Sequence, residues 1–201
     1  MSDSARPSVP DLSAQDFALK EAAARRAALI WRRAGIEQRV AALRGVWREL
    51  AARRAEIVAV VREETGKPAA EVELMEMGAC SLLVKHFTAE AVRLLGDKPA
   101  KTPWFFLNKR AFVRRVPRGV VGLICSWNLP FLIPFGDAFA AMLAGNAVLL
   151  KPSERATKTA LWLEGAVAST GLLPEGLLSV IPGGAVCGER VIDACDLVLF
   201  T

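Results

Sequence analysis

The chain has 201 residues, of which 53% are hydrophobic and 23% are charged, and its mean hydropathy is +0.31. This length corresponds to one domain or slightly more, and the composition excludes an intrinsically disordered chain. The four cysteines contain no C-x-x-C spacing, and His86 is the only histidine. These counts exclude zinc fingers, histidine-based zinc enzymes and Ser-His-Asp hydrolases, so we expect no metal site.

The amino-terminal residues are polar and no apolar stretch follows them, so the sequence does not predict a secretory signal. We therefore expect a cytoplasmic protein with reduced cysteines, in which residues 1–12 form a flexible tail.

The charge is unevenly distributed, because residues 1–116 carry a net +7 and residues 117–201 a net −2. A basic chain can indicate nucleic-acid binding. Here the arginines alternate with apolar residues at helical spacing, which favours the solvated face of amphipathic helices and no nucleic-acid partner. The arginines concerned are Arg25, Arg26, Arg32, Arg33, Arg39, Arg44, Arg48, Arg53 and Arg54.

Three helices are predicted within residues 13–100. Ser13 followed by Asp16 is a capping-box signal for a first helix that runs to about Gly35. A second helix carries an apolar stripe, interrupted only by Arg54, and stops at the sequence 65–68, where a glycine and a proline end helices. Its stripe consists of Val40, Leu43, Trp47, Leu50, Ile57 and Val61. A third helical pattern covers roughly 69–95.

Residues 101–118 mix aromatic, basic and β-branched positions, which predicts extended chain or a two-stranded ribbon. From Gly119 onward, short apolar runs at 120–126, 146–150, 177–181 and 197–200 alternate with helical patterns. Such strands are typical of a parallel sheet covered on both faces. The predicted fold class is therefore α/β: N-terminal helices followed by an incomplete Rossmann-like parallel-sheet unit at 119–201.

Residues 119–136 form an uncharged stretch of eighteen residues, and this stretch is long enough to span a membrane. Asn128, Pro130 and Pro134 argue against this interpretation, because a helix in lipid would lose backbone hydrogen bonds at both prolines. We expect no membrane span.

Two loops resemble phosphate-binding motifs only in part. The sequence Thr65-Gly66-Lys67 fails the P-loop pattern, since Val61 and Pro68 occupy positions that require Gly and Ser or Thr. The glycines at 183 and 184 do not form a G-x-G-x-x-G motif. They lie between a predicted strand and a predicted helix, so they either face a nucleotide or form a plain tight turn.

Polar residues follow two other predicted strands. Lys151, Ser153 and Glu154 come directly after the run 146–150, where ligands bind in open parallel sheets. Lys and Glu suit the hydroxyls of a ribose, whereas Ser153 as N-cap with Glu154 in the first turn is an equally good structural interpretation. Asn128, between Trp127 and Pro130, is a candidate donor to a developing oxyanion.

Taken in order, several short sequences resemble the NAD(P)-dependent aldehyde dehydrogenase superfamily, from about Ser13 to the last residue. They are Thr65-Gly66-Lys67-Pro68, Pro117-Arg118-Gly119-Val120-Val121-Gly122, Ser126-Trp127-Asn128-Leu129-Pro130, Ala144-Gly145-Asn146-Ala147-Val148, Lys151-Pro152-Ser153-Glu154, Gly171-Leu172-Leu173-Pro174-Glu175-Gly176 and Phe200-Thr201. The resemblance covers only the first part of that family's chain.

The resemblance implies a role for each candidate residue. Asn128 would help to stabilise the oxyanion, and Trp127 would line the passage between cofactor and substrate. Lys151 and Glu154 would hold the adenosine ribose, with Ser153 beside them. The glycine turn Gly183 and Gly184 would lie near the adenine. Ser126 stands where the family usually has proline, which should loosen this loop slightly and leave Asn128 usable.

The implied cofactor is NAD or NADP, and Glu154 favours NAD because it would lie poorly beside a 2′-phosphate. The implied reaction oxidises a small-molecule aldehyde to an acid through a thiohemiacetal on a cysteine. That cysteine and a glutamate base match no position here, so we expect the 201-residue chain to be inactive by itself. A sheet edge left unpaired at the last strand should also make it poorly stable.

The complete enzyme would be a homo-oligomer, since residues 101–118 resemble the family's oligomerisation hairpin. A non-catalytic partner of a full-length homologue and, less favoured, a basic nucleic-acid binder remain alternatives. Phe131, Phe135 and Met142 fit a core and a substrate pocket equally, so the sequence does not identify the aldehyde.

Overall fold

The first helix begins where the capping signal predicts. The computed structural model describes residues 9–102, 104–106 and 108–201, so most of the predicted tail lies outside the described residues. Helix α1 (Ala14–Trp31) has Ser13 as its N-cap, whose Oγ accepts a hydrogen bond from the backbone N–H of Asp16 at 3.1 Å. It ends slightly before Gly35, in agreement with the prediction.

The predicted second helix is two helices, α2 (Ile36–Ala52) and α3 (Arg54–Thr65). The backbone leaves the helical region at Arg53, where φ is −93° and ψ is 25°. The two helices still present one apolar face to the core, since Leu50 and Ile57, seven residues apart, are both fully buried. Helix α3 ends as predicted at Gly66, whose φ of 76° favours glycine.

The third helical region follows at once but is not uniform. It consists of α4 (Ala69–Glu71), a π-helical turn at Val72–Gly78 and α5 (Ala79–Leu95), joined without a break in helical backbone angles. The sequence analysis predicts the helix and misses the π-helical turn. A short antiparallel ribbon of β1 (Lys98–Ala100) and β2 (Ala111–Val113) comes next. A ribbon is therefore present, but β1 lies before the predicted segment 101–118, and Trp104–Phe106 within that segment form a 3₁₀ turn instead of extended chain. Two residues of the predicted extended segment, Pro103 and Leu107, lie outside the described residues.

A four-stranded parallel sheet forms the second half of the chain. Its strands are β3 (Val120–Cys125), β4 (Ala147–Pro152), β5 (Leu178–Val180) and β6 (Leu197–Phe200), in the order β5-β4-β3-β6. Each pair of neighbouring strands is parallel. The connections contain α6 (Leu132–Leu143), α7 (Thr157–Ser169) and α8 (Ala185–Ala194). All four predicted strands are confirmed, and the α/β fold with them.

The core lies between this sheet and the helices that cover it. Every residue of β4 is buried, as expected for a central strand covered on both faces. Phe131, Phe135 and Met142 are at most 2% exposed and pack in the core rather than at a surface pocket. The uncharged stretch 119–136 forms β3, a loop and the start of α6. No helix in the described ranges has both the length and the apolar character needed to cross a membrane.

Arg39 does not follow the prediction of a solvated arginine face. It is only 7% exposed and lies against Gly145 and Pro117 at the amino-terminal edge of the sheet. Burial lowers the pKa of its guanidinium group. Most of the other arginines in the predicted set are exposed, as expected, and Arg53 is half-buried.

Asp137 gives a pH-dependent prediction. It lies half-buried in α6, and desolvation raises the pKa of its carboxyl group. A carboxyl whose pKa is higher in the folded state stabilises the fold while it is protonated, and this contribution is lost as the pH rises through the folded-state pKa. Asp137→Asn should therefore raise the melting temperature at pH 7, and the gain should shrink in acid. Thermal unfolding measured across this pH range tests the expectation, with exposed Asp193→Asn as the control. An equal gain at all pH values would contradict it.

Candidate functional site

Three loops leave the sheet at its carboxyl edge, next to one another. They follow β3 at residue 126, β4 at residue 153 and β5 at residue 181. Ligands of open parallel sheets bind outside this edge. All the candidate residues predicted from the sequence lie on these loops, apart from one that lies near the end of β4. They are Ser126, Trp127, Asn128, Lys151, Ser153, Glu154, Gly183 and Gly184.

The end of β4 places a cation beside a carboxylate. The Lys151 side chain is 8% exposed, and its Nζ lies 3.5 Å from Oε2 of Glu154, whose side chain is 45% exposed. The adjoining Ser153 uses its Oγ to accept the backbone N–H of Arg155 at 3.3 Å, which caps the short 3₁₀ turn Glu154–Ala156. Ser153 therefore caps this turn beside the candidate site, and the Lys151–Glu154 pair keeps one side open to solvent.

The glycine turn after β5 lies beside this pair. Gly183 has a φ of 133°, and a Cβ there would come within 2.6 Å of Cys187 Sγ. A Cβ on Gly184 would lie 3.3 Å from Glu154 Oε1, so the carboxylate faces the turn directly. The Gly183 position has no room for a side chain, because Cys187 and Asp11 occupy that space. The Glu154 carboxylate lies beside the turn, so the loops after β4 and β5 adjoin each other.

The turn also binds residues that precede α1. The backbone N–H of Gly184 donates to Asp11 Oδ1 at 2.6 Å, and the Leu12 N–H donates to the Pro182 carbonyl at 3.2 Å. Arg190 donates to the Leu12 carbonyl at 2.7 Å. The backbone N–H of Gly184 is therefore already occupied by Asp11 and does not face a ligand freely.

The loop after β3 presents the Asn128 side chain. Ser126 Oγ donates to Asn128 Oδ1 at 2.6 Å, a contact that proline could not make. The amide oxygen is thereby occupied, and in the described part of the chain the amide nitrogen has no hydrogen-bond partner. Since Asn128 is exposed, its two N–H donors are available to a ligand.

Trp127 connects this loop to the one after β4. Its side chain is 50% exposed, and the Arg155 guanidinium carbon lies 5.6 Å from the centroid of its ring. This is a cation–π distance. The β3 and β4 loops therefore meet at the aromatic ring.

The sequence analysis missed two residues beneath the Asn128 loop. Lys67 Nζ donates to the backbone carbonyl of Asn128 at 2.6 Å and to Glu76 Oε1 at 2.9 Å. The other carboxylate oxygen, Glu76 Oε2, accepts the backbone N–H groups of Phe131 at 2.8 Å and Leu132 at 3.2 Å.

A signal for Glu76 is present in the sequence. Buried residues recur every four positions along this helical region, and Glu76 is the charged member of that stripe. The stripe consists of Val72, Glu76, Cys80, Val84 and Thr88. A carboxylate at such a position requires a buried partner.

The cysteines are not suited to nucleophilic chemistry. Burial, together with the nearby Asp137 carboxylate, raises the pKa of the Cys125 thiol to about 12. Burial also raises the pKa of Cys195 to about 12 and that of Cys80 further. Since the thiolate is the nucleophile, these thiols are inert at neutral pH. In the described ranges, no three His, Cys, Asp or Glu side chains group as ligands for a metal.

A parallel sheet with a lysine, a glutamate and a glycine turn at its carboxyl edge is the architecture of Rossmann-like nucleotide-binding domains. Comparison with known proteins specifies the family: residues 3–201 match the aldehyde dehydrogenase family, and the chain belongs to it, as the N-terminal part.

Individual relatives agree with this assignment. A putative succinate-semialdehyde dehydrogenase [NADP(+)] of Mycolicibacterium smegmatis is 34% identical over 197 residues, which are 96% of this chain and 37% of that protein. A 4,4'-diapolycopene aldehyde oxidase of Methylomonas sp is 35% identical over 88% of this chain and 34% of its own length. The chain therefore spans somewhat more than a third of these relatives.

Solved structures show the same fold. The Mycobacterium tuberculosis aldehyde dehydrogenase complexed with NAD+ superposes with a TM-score of 0.86 and 30% identity, over 96% of this chain and 40% of that one. The NAD-dependent aldehyde dehydrogenase from Sinorhizobium meliloti has a TM-score of 0.84 and 31% identity, over 95% and 38%.

Proposed function

We propose that this chain supplies the ribose-binding part of an NAD(P) site and one oxyanion donor to an enzyme that oxidises aldehydes to carboxylic acids. The observation that carries the proposal is the single sheet edge at which Lys151, Glu154 and Gly184 adjoin the Asn128 loop. Family membership and the NAD+ complex of the M. tuberculosis relative support it.

The residues at this edge fit the adenosine ribose of such a cofactor. The Lys151 ammonium group can donate to a ribose hydroxyl and the Glu154 carboxylate can accept from one, and the two atoms lie 3.5 Å apart. Gly184 adds no side chain of its own next to Glu154, and the Asp11 carboxylate binds the same turn through the Gly184 N–H. When bound, the cofactor supplies an acceptor for the hydride of the substrate.

Asn128 would act on the aldehyde. Because Ser126 occupies its amide oxygen, the amide nitrogen is the group left to donate to an oxygen that gains negative charge. The pKa values of the Cys80, Cys125 and Cys195 thiols are raised, and Cys187 is buried, so the nucleophile and the base would come from residues that are not among these 201.

We further propose subunit association through the β1–β2 ribbon, because Phe112 and Val113 are each more than half exposed there, as is the nearby Trp104.

Nucleic acid is not a proposed partner, because several helix arginines are already paired with carboxylates, including Arg25 with Glu21 and Arg54 with Glu73. We also propose a cytoplasmic location and a division at about residues 100 and 118 into helical, extended and sheet parts.

Glu154 favours NAD over NADP, since its carboxylate would repel a 2′-phosphate. Calorimetric titration of the chain with each cofactor tests the site. We expect binding of NAD, weaker binding of NADP, and a smaller difference between the two in Glu154→Gln. The exposed Glu175→Gln is the control and should keep the wild-type preference. If neither NAD nor NADP binds, the proposed site is wrong. If the wild-type chain binds both with equal affinity, only the preference for NAD is wrong.

A further inference from the structure

One buried ion pair lies directly beneath the Asn128 loop. The Glu76 side chain is fully inaccessible and that of Lys67 is 15% exposed. Their 2.9 Å contact joins the end of α3 to the π-helical turn. None of the roles assigned above to cofactor or substrate uses either residue.

We propose that Lys67 and Glu76 together are positioning residues for Asn128, an inference that rests on the oxyanion role proposed for that side chain. Neither residue touches the site of reaction. They act on the backbone that carries the amide group, from below the loop.

The contacts hold the loop at both ends. Lys67 Nζ binds the carbonyl oxygen of Asn128 itself, at 2.6 Å. Glu76 Oε2 binds the first backbone N–H groups of α6, at Phe131 and Leu132, only three and four residues farther along. With the Ser126 contact to the side-chain oxygen, four hydrogen bonds fix the position of the Asn128 amide group.

The charges explain why the two residues belong together. A buried carboxylate is stable only when it is paired and its lone pairs are satisfied, and Glu76 obtains one cation and two N–H donors. The donors lie at the start of a twelve-residue helix, where backbone N–H groups lack partners within the helix and a negative charge is favourable. Removing Lys67 leaves Glu76 buried without its counter-charge, whereas removing Glu76 leaves Lys67 with only the more distant Glu71 carboxylate, at 3.9 Å, as a counter-charge.

A rigid donor is what this chemistry requires. A hydrogen-bond donor stabilises a developing oxyanion most when it is already oriented and does not reorganise during the reaction. A solvent-exposed Asn128 loop without the Lys67 and Glu76 contacts would be free to reorient and would not meet this condition. The ion pair therefore supplies the rigidity from groups that are protected from solvent.

The test compares Lys67→Met and Glu76→Gln in the 201-residue chain with Glu73→Gln. Glu73 lies on the same π-helical turn, but its side chain is 42% exposed and is paired with Arg54. The measurement is the ¹⁵N–¹H NMR signal of the Asn128 side-chain amide, with the buried Asn146 amide as an internal reference.

We expect Lys67→Met and Glu76→Gln each to shift and broaden the Asn128 signal while the Asn146 signal stays in place. Glu73→Gln should move neither signal. Amide exchange at Phe131 and Leu132 should become roughly tenfold faster or more. Lys67→Arg, which keeps the cation, should restore part of the wild-type signal.

A wild-type Asn128 signal in folded Lys67→Met or Glu76→Gln would overturn the proposal, as would equal shifts at Asn146. If neither variant folds, hydrogen exchange in the wild-type chain still tests the proposal. Rapid exchange of the Phe131 and Leu132 amides would contradict their hydrogen bonds to Glu76. None of these measurements needs cofactor or turnover, so their failure is distinct from a failure of the proposed NAD site.

Discussion

Lys151→Met is expected to weaken NAD binding by about tenfold or more, which corresponds to at least about 1.4 kcal/mol. The substitution keeps the aliphatic stem but removes a nearly buried ammonium group that lies 3.5 Å from Glu154. In the proposed site the variant would lose a charged hydrogen bond to a ribose hydroxyl, and Glu154 would lose its counter-charge. Calorimetric titration measures the effect.

The matched control is Lys158→Met. Lys158 lies seven residues farther along, in α7, where it is 64% exposed and paired with Glu63 on the protein surface. An exposed pair contributes little, so this variant should bind NAD like the wild type. Equal losses in the two variants would show that general charge, and not the position of Lys151, determines affinity. An unchanged affinity in Lys151→Met would remove this residue from the site.

Gly145→Ala should destabilise the fold by about 3 kcal/mol, through backbone strain and overpacking. Gly145 has a φ of 95°, which an alanine adopts only with strain. A Cβ would also lie 1.9 Å from Arg39 Nη1 and 2.7 Å from Pro117 Cγ. Since Arg39 is buried, its guanidinium group has little room to move away.

The neighbouring Asn146 makes this turn rigid. Its Oδ1 accepts the backbone N–H groups of Arg118 at 2.7 Å and Gly119 at 3.1 Å, and its Nδ2 donates to the Ala141 carbonyl at 3.0 Å. A shift of the backbone at Gly145 would disturb these buried bonds between the starts of β3 and β4. Relaxation around the new methyl group is therefore restricted.

Urea unfolding of Gly145→Ala measures the loss, and Gly165→Ala provides the opposite expectation. Gly165 lies within α7 with open space where a Cβ would be, so alanine should stabilise the chain there by up to about 1 kcal/mol. Comparable small changes in both variants would contradict the role assigned to the turn at Gly145.

The local pattern of apolar and polar residues was sufficient to predict the strands of the parallel sheet and most of the helices. The apolar runs at 120–126 and 146–150 correspond closely to β3 and β4, because a strand covered on both faces needs apolar residues at every position. The break at Arg53 could not be predicted in this way. It depends on which faces of α2 and α3 must meet the core, which the packing of the whole chain determines.

The same division holds at the candidate site. The sequence predicts that Asn128, Lys151 and Gly184 approach one another, because they follow strands of a parallel sheet and carboxyl ends share one edge. It does not predict the Lys67–Asn128 contact, which joins residues 61 positions apart. Nor does the arginine pattern distinguish Arg39, since its burial arises from the turn at Gly145.

The π-helical turn at Val72–Gly78 affects the alignment of relatives with this chain. Hydrogen bonds in such a turn close over one more residue than those of an α-helix. A homologue that continues as a plain α-helix would keep the flanking faces in phase with one residue fewer between the positions of Glu71 and Ala79. A single-residue gap in an alignment with such a homologue therefore belongs within this turn.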